Sequence, residues 1–349
     1  MKKRVVIGLS GGVDSSVAAY LLKEEGYEVL GVTMETWREP GQDCSQLAGD
    51  ARRVADYLGI SHQMVDFRRT FKEAVVDPFM EEYRRGRTPN PCVICNRKVK
   101  WEALLSYAQE QGADYLATGH YARIVKLSGG RYSLKTSATE AKDQTYALYG
   151  LSQQQLSRTL MPVGEYEKKD IREIAKRVGI PVAEKPDSQE ICFIPDDDYV
   201  GFLRRNDGGG LTPGDFVTRQ GEVLGRHKGI ACYTLGQRRG LELPMGRRVF
   251  VTGILPEENQ VVVGDNEELF CRQVKASRIN LMAVDDLGEG LKAIGKIRYN
   301  HRGAPCLVRQ TGPDELTAVF EEPQRAITPG QAFVFYTQEG CVAGGGTIL

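Results

Sequence analysis

The sequence predicts an α/β plus β protein: a doubly wound parallel-sheet domain, then a small central β-rich domain and a C-terminal β-barrel. Three observations predict it. The first half alternates short β-branched runs with stretches of helical spacing. A glycine-rich loop joins the first run to the first helix, where open α/β sheets bind ligands. The second half holds only short β-type runs separated by turns.

The elements follow in order. Residues 4–9 contain the apolar run Val5, Val6, Ile7. Over 15–25, Val17, Ala18, Leu21 and Leu22 recur at helical spacing, with Gly26 at the stop position. A strand is expected over 28–34, a helix over 45–58 closed by Gly59, and a third strand over 62–67. A helix over 98–111 precedes a fourth strand over 115–119. Gly208-Gly209-Gly210 and Thr212-Pro213-Gly214-Asp215 mark a boundary. Beyond it, 216–218, 248–255, 261–263, 294–299, 306–311, 316–320 and 332–337 read as strands of one or two small barrels or sandwiches. The expected domains are 1–208, 209–276 and 277–349.

The 349 residues are 41% hydrophobic, which excludes a disordered chain. No run approaches the ~20 apolar residues of a membrane span. The start, Met1-Lys2-Lys3-Arg4, is not a signal peptide, so a cytoplasmic protein is expected, without membrane partners. Its eight cysteines then do not form a disulfide framework. The 46 basic and 46 acidic residues cancel, which argues against indiscriminate nucleic-acid binding. The charge is nevertheless segregated. Residues 84–100 hold six basic and no acidic side chains, and 290–312 hold five basic and none acidic. Two such stretches could grip separated parts of one RNA; DNA is not expected as a partner.

Ser10-Gly11-Gly12-Val13-Asp14-Ser15-Ser16 lies between the first strand and the first helix. Its glycines let backbone N–H groups approach an anion, and the helix adds its positive end. A plain turn with Ser15 as helix cap is the simpler alternative. No Gly-Lys-Ser/Thr follows, so it is not a Walker loop. The string resembles the PP-loop ATP pyrophosphatases, which split ATP between the α and β phosphates and adenylate a substrate oxygen.

Thr88-Pro89-Asn90-Pro91-Cys92-Val93-Ile94-Cys95-Asn96 carries two of the cysteines. Asn96 can cap the helix that follows, which places Cys95 at a helix N-terminus beside Arg97 and Lys98, where a thiolate is favoured. Cys192 stands between Ile191 and Phe193, where a small buried hydrophobe is the simpler reading. Half of a zinc site is the simpler reading of Cys92 and Cys95, but no second C-x-x-C exists.

This constellation closely resembles the tRNA-specific 2-thiouridylases. The matching strings run nearly end to end: 8–15, 50–55, 88–96, 117–123, 142–146, 191–194, 233–240, 298–301 and 329–332. The resemblance implies adenylation of the 2-carbonyl oxygen of the wobble uridine in certain tRNAs, of the lysine, glutamate and glutamine type, followed by displacement of AMP by sulfur. It implies ATP and Mg²⁺ as cofactors and a cysteine desulfurase or sulfur-relay protein as partner. The ATP site would be Gly8, Leu9, Ser10, Gly11, Gly12, Val13, Asp14, Ser15, Met34 and Gly119. Cys95 would be the nucleophile and Cys192 the persulfide carrier. Asn90, Pro91 and Cys92 would face the target base. His120, Lys142, Asp143, Gln144, Arg298, Tyr299 and Gln331 would contact tRNA.

One position departs from the family. Many members have aspartate where this chain has Cys92. Cys92, Cys95 and Cys192 could instead ligate a [4Fe–4S] cluster, leaving one iron to hold sulfide; a cluster-dependent branch of thiolases resembles this arrangement. Two other functions remain open: another PP-loop RNA thiolase, or a non-catalytic adenylate-binding RNA-binding protein.

Overall fold

The computed structural model describes residues 2–39, 41, 45–186, 191–206 and 211–349. The glycine boundary at 208–210, Cys44 and residues 187–190 lie outside the described residues. The N-terminal sheet is built from β1 (Arg4–Gly8), β2 (Glu28–Glu35), β3 (Ser61–Asp66), β4 (Tyr115–Ala117) and a short strand Thr159–Leu160, in the order β3-β2-β1-β4 and then that last strand. All four pairings are parallel, as the alternation predicts.

The alternation of β1 explains the two helical layers. Val5 and Ile7 point into a core with Val17, Ala18 and Leu22 of α1 (Val13–Glu24), and with Ala51, Val54 and Leu58 of α2 (Ser45–Leu58). Val6 points the other way, toward Phe71, Phe79, Trp101 and Leu104. Both faces are therefore covered, and the binding edge is left at the carboxyl ends of the strands.

The helix near the cysteines starts earlier than expected. Pro91–Ile94 is α-helical, Cys95–Leu104 is wound as a π-helix, and Leu105–Glu110 returns to α, in one unbroken run. The central domain is a four-stranded sheet of Gly214–Val217, Val223–His227, Phe250–Leu255 and Gln260–Gly264. The C-terminal strands Phe270–Leu281, Leu291–Lys296, Ala304–Gly312, Glu315–Arg325, Ala332–Tyr336 and Val342–Ile348 close into a six-stranded barrel.

The barrel is fused to the α/β part. Tyr146, Tyr149 and Leu151 share one core cluster with Met282, Ala332, Val334, Tyr336 and Val342. Tyr146 Oη donates to Ala332 O at 2.7 Å, and Asn280 Nδ2 donates to Tyr149 O at 2.6 Å. No helix among the described residues is long and apolar enough to cross a membrane.

Candidate active site

The glycine loop forms where β1 ends. Gly11 takes φ +70°, which a side chain disfavours, and Gly12 is the N-cap of α1 with no side-chain cap bond. Ser15 is thus not the cap; its Oγ lies 3.2 Å from Ser10 Oγ and donates to Gly12 O at 3.2 Å. Ser16 Oγ donates to the same carbonyl at 2.7 Å. Leu9 and Val13 are buried, so any ligand meets their backbone. Leu9 O accepts Thr33 Oγ1 at 2.7 Å, which steadies the strand end.

Gly119 closes the other side. A Cβ there would come within 2.7 Å of Ser15 N and 2.8 Å of Asp14 C, so glycine is required for the β4 end to approach the loop. Met34, near the end of β2, is partly buried beside the core. Gly8, Met34 and Gly119 therefore border the loop from three adjacent strands.

Charge converges here from distant sequence. Asp14 Oδ1 accepts Lys168 Nζ at 2.6 Å and Tyr121 Oη at 2.7 Å. Lys185 Nζ donates to Gly11 O at 3.1 Å and to Asp50 Oδ2 at 2.6 Å. The buried Asp50 carboxyl is held below the usual carboxylate range by Lys185 and Arg53. Sequence reading missed Tyr121, Lys168 and Lys185 as members of the site. Only folding shows them, because Lys168 and Lys185 lie 154 and 174 residues from their loop partners.

The thiol cleft corrects several expectations. Asn90, not Asn96, caps the helix, accepting Val93 N–H at 3.4 Å; Asn96 Nδ2 donates to Ala147 O at 3.0 Å. Cys95 therefore sits one turn inside the helix, away from its free N–H groups. Arg97 and Lys98 turn toward Glu102, at 3.9 and 2.9 Å. Burial pushes the Cys95 thiol up, against the nearby Lys100 ammonium. Burial also raises Cys92, and burial with the neighbouring thiols pushes Cys192 up to about 12. Burial thus favours the neutral thiol at Cys95, against the thiolate that the local sequence favours. Cys92 and Cys192 still present surface to solvent, and Cys95 is partly exposed.

The three thiols influence one another, so they share a neighbourhood. Among the described residues no three His, Cys, Asp or Glu side chains are placed to hold one ion. Three thiols are the donor set an iron–sulfur cluster takes, each on a different iron.

The residues expected to face tRNA divide in two. Arg298 and Tyr299 are exposed, and the Tyr299 hydroxyl, raised mainly by burial, also feels Asp143 and Cys92 at the cleft mouth. The others turn inward. Pro91 is buried, so its ring cannot meet a base. Asp143 accepts Ser137 N–H at 2.9 Å and Thr145 Oγ1–H at 2.5 Å, and Gln144 Oε1 accepts Tyr121 N–H at 2.9 Å. Gln331 Nε2 donates to Thr88 O at 2.9 Å and Pro89 O at 3.3 Å. Lys142 is half-buried at the end of a 3₁₀ turn. His120 has both ring nitrogens engaged, by Thr118 Oγ1 at 2.8 Å and Lys100 Nζ at 3.2 Å.

The basic stretch 84–100 is also less free than its composition suggests. Arg84 and Arg85 pair with Glu81, and Arg87 with Glu82.

Comparison with known proteins places this site in a family. Residues 3–196 match the model of a tRNA methyl transferase HUP domain, 202–265 a tRNA methyl transferase PRC-barrel domain, and 271–348 an aminomethyltransferase β-barrel domain. A tRNA-specific 2-thiouridylase MnmA of Lachnoclostridium phytofermentans is 55% identical over 99% of both chains. Proteins of the same name from Clostridioides difficile and Clostridium acetobutylicum are 49% and 50% identical over 99% of this chain, and over 98% and 99% of their own. The chain belongs to the tRNA-specific 2-thiouridylases. Its three-part architecture is that of the matched models: a parallel-sheet domain, a central PRC-barrel-like domain and a closed barrel. The first and third parts meet beside the cysteine helix, where Thr88 N–H donates to Pro329 O at 2.9 Å.

Proposed function

We propose that this protein is an ATP-dependent tRNA-uridine 2-sulfurtransferase acting on the wobble uridine. The observation that carries the reading is the adjacency of two half-sites across β4. Gly119 abuts the glycine loop, and His120, the next residue, reaches the Lys100 ammonium that acts on all three thiols. A nucleotide loop and a set of thiols reached from consecutive residues, Gly119 on one side and His120 through Lys100 on the other, suit a reaction that first adenylates an oxygen and then replaces it with sulfur. Methyl transfer, which two family-model descriptions mention, gives the thiols no such use.

The chemistry explains the need for both. The 2-carbonyl oxygen of uridine is a poor leaving group, and AMP is a good one. ATP binds with its phosphates on the N–H groups of residues 10–15, flanked by Lys168 and Lys185; Mg²⁺, held at Asp14, would supply positive charge at the phosphates. Persulfide sulfur on Cys192 attacks C2 as the C2–O bond breaks and AMP departs. Cys95 then attacks the Cys192 sulfur, freeing 2-thiouridine and leaving a disulfide that an external thiol reduces. A cysteine desulfurase or relay protein supplies the persulfide. The exposed Arg298 and Tyr299 contact tRNA, as does Lys142, while His120 shapes the approach from within, and the target base, flipped from its stack, meets Asn90 and Cys92. Asp143, Gln144 and Gln331 hold that approach in shape. Residues 1–208 carry the chemistry, 209–276 bridge, and 277–349 seat the tRNA.

Nucleoside mass spectrometry after incubation with tRNA, ATP, Mg²⁺ and a persulfide donor tests this reading. 2-Thiouridine at the wobble position is expected, and its absence from anaerobic reactions with reconstituted protein would end the proposal. A [4Fe–4S] cluster on Cys92, Cys95 and Cys192 is a second reading, favoured by a third thiol where many relatives have aspartate. It predicts bound iron after anaerobic reconstitution that Cys92→Ala lowers. Equal iron in both proteins excludes it.

A further inference from the structure

Lys100 lies in the π-wound stretch Cys95–Leu104. In an α-helix residues five apart are ~140° out of phase. The wider i→i+5 winding returns them to neighbouring faces, so Lys100 comes round to the side of Cys95. Its ammonium donates to His120 Nε2 at 3.2 Å, and His120 Nδ1–H donates to Thr118 Oγ1 at 2.8 Å. Thr118 is buried, and its N–H is bonded to Leu160 O at 3.2 Å. The imidazole lies against the Trp101 ring, with centroids 5.5 Å apart, and Trp101 Nε1 donates to Thr159 Oγ1 at 2.7 Å. This chain of contacts rests on two neighbouring strand ends of the sheet. Burial, reinforced by Lys100, keeps His120 neutral, so Nε2 stays an acceptor. Among the described residues no carboxylate pairs with Lys100, whereas Arg97 and Lys98 share Glu102.

Resting on the sulfurtransferase reading, the geometry points to Lys100 as the cation of the sulfur-transfer half of the site, with His120 as the positioning residue that holds it there. In the displacement, an anionic sulfur forms the C2–S bond while the C2–O bond breaks, and the electron pair leaves on AMP. Before that step the anion stands in a cleft where burial favours neutral sulfur. A fixed ammonium offsets that cost without reorganising. Lys100 stands near all three sulfurs, acting most on Cys92 and Cys95 and less on Cys192, so one ammonium reaches every sulfur of the transfer.

The test measures tRNA-dependent AMP and 2-thiouridine in the same reaction, for wild type, K100M, K100R and H120N. Wild type must produce 2-thiouridine; if it does not, the sulfurtransferase reading fails rather than the role of Lys100. In K100M the 2-thiouridine formed per AMP is expected to fall about 100-fold, because water then takes the adenylate. K100R should restore most of that ratio. H120N should lower it less, and not at all in a K100M background, since both act through one ammonium. An unchanged ratio in K100M overturns the proposal, whatever the rate. So does a H120N effect that adds fully to K100M. If thermal melts show K100M unfolded, H120N decides: an unchanged ratio there overturns the proposal as well.

Discussion

At the scale of single residues, the thiols show how burial competes with local charge. Local sequence around Cys95 favours a thiolate through a helix end and two cations. In the structure the helix starts at Pro91, Arg97 and Lys98 face Glu102, and Lys100 is the cation that acts on Cys95. Desolvation then dominates, as expected for a charge placed among low-dielectric neighbours. A raised thiol holds its proton through neutral pH and loses it only as pH climbs past the ordinary thiol range. Alkylation by iodoacetamide, which needs the thiolate, should therefore be slow at Cys192 at pH 7 and still rising at pH 10, because Cys192 is pushed up to about 12. Peptide mass spectrometry of the free protein measures this site by site, with the exposed Cys271 as internal reference. If Cys192 reacts at pH 7 faster than Cys271, burial does not govern it.

At the scale of elements, the strand ends and the 88–90 loop do the positioning. Gln331, on the turn before Ala332–Tyr336, donates to Thr88 O and Pro89 O, directly ahead of the Asn90 cap. Gly330 approaches the same loop so closely that a Cβ would lie 2.9 Å from Thr88 O. The barrel thereby sets where the cysteine helix begins. Gln331→Ala should lower the thiolation rate about ten-fold, in line with a ~1.4 kcal/mol loss of one net hydrogen-bonded contact, while tRNA affinity changes little. Filter binding and single-turnover thiolation separate the two. A large loss of tRNA affinity with an unchanged bound rate would make Gln331 an RNA contact instead. Elements of this kind were only partly legible beforehand. The α/β strands were readable because Val5, Val6 and Ile7 and their counterparts form local apolar runs. Val342–Ile348 was not readable, because Gly344, Gly345 and Gly346 make it look like a turn. Those glycines exist for contact: a Cβ on Gly345 would lie 2.6 Å from Tyr149 Cδ2. The glycine loop and the cysteines were equally local signals. Lys168 and Lys185 were not, because nothing near them in sequence refers to the loop they reach; Tyr121 follows Gly119 closely, but only the fold shows its hydroxyl on Asp14.

At the scale of the whole molecule, the three parts named by composition are not three independent cores. Tyr146, Tyr149 and Leu151 of the first part are buried with Val334, Tyr336 and Val342 of the barrel. Ser133 Oγ donates to Val342 O at 2.9 Å, and Thr145 Oγ1 lies 3.1 Å from Tyr336 Oη, so polar groups in the interface are satisfied across it. Each large side chain buried there contributes roughly 1.5–3 kcal/mol. Three or four of them rival the ~5–15 kcal/mol that stabilises a typical domain. Removing the whole barrel, residues 270–349, should therefore do more than take away one part of the chain. The shortened chain would expose Tyr146 and Tyr149, leave Asn90 and the cysteine helix without their brace at Thr88, and lose cooperative unfolding. In the full chain, urea unfolding followed by near-UV and far-UV circular dichroism should give coincident transitions for the catalytic part and the barrel. A fragment of 1–269 that keeps the full chain's near-UV signal and binds ATP equally well would show that the first part does not need the barrel for its core. An aggregating or molten fragment would show that the barrel completes the catalytic core.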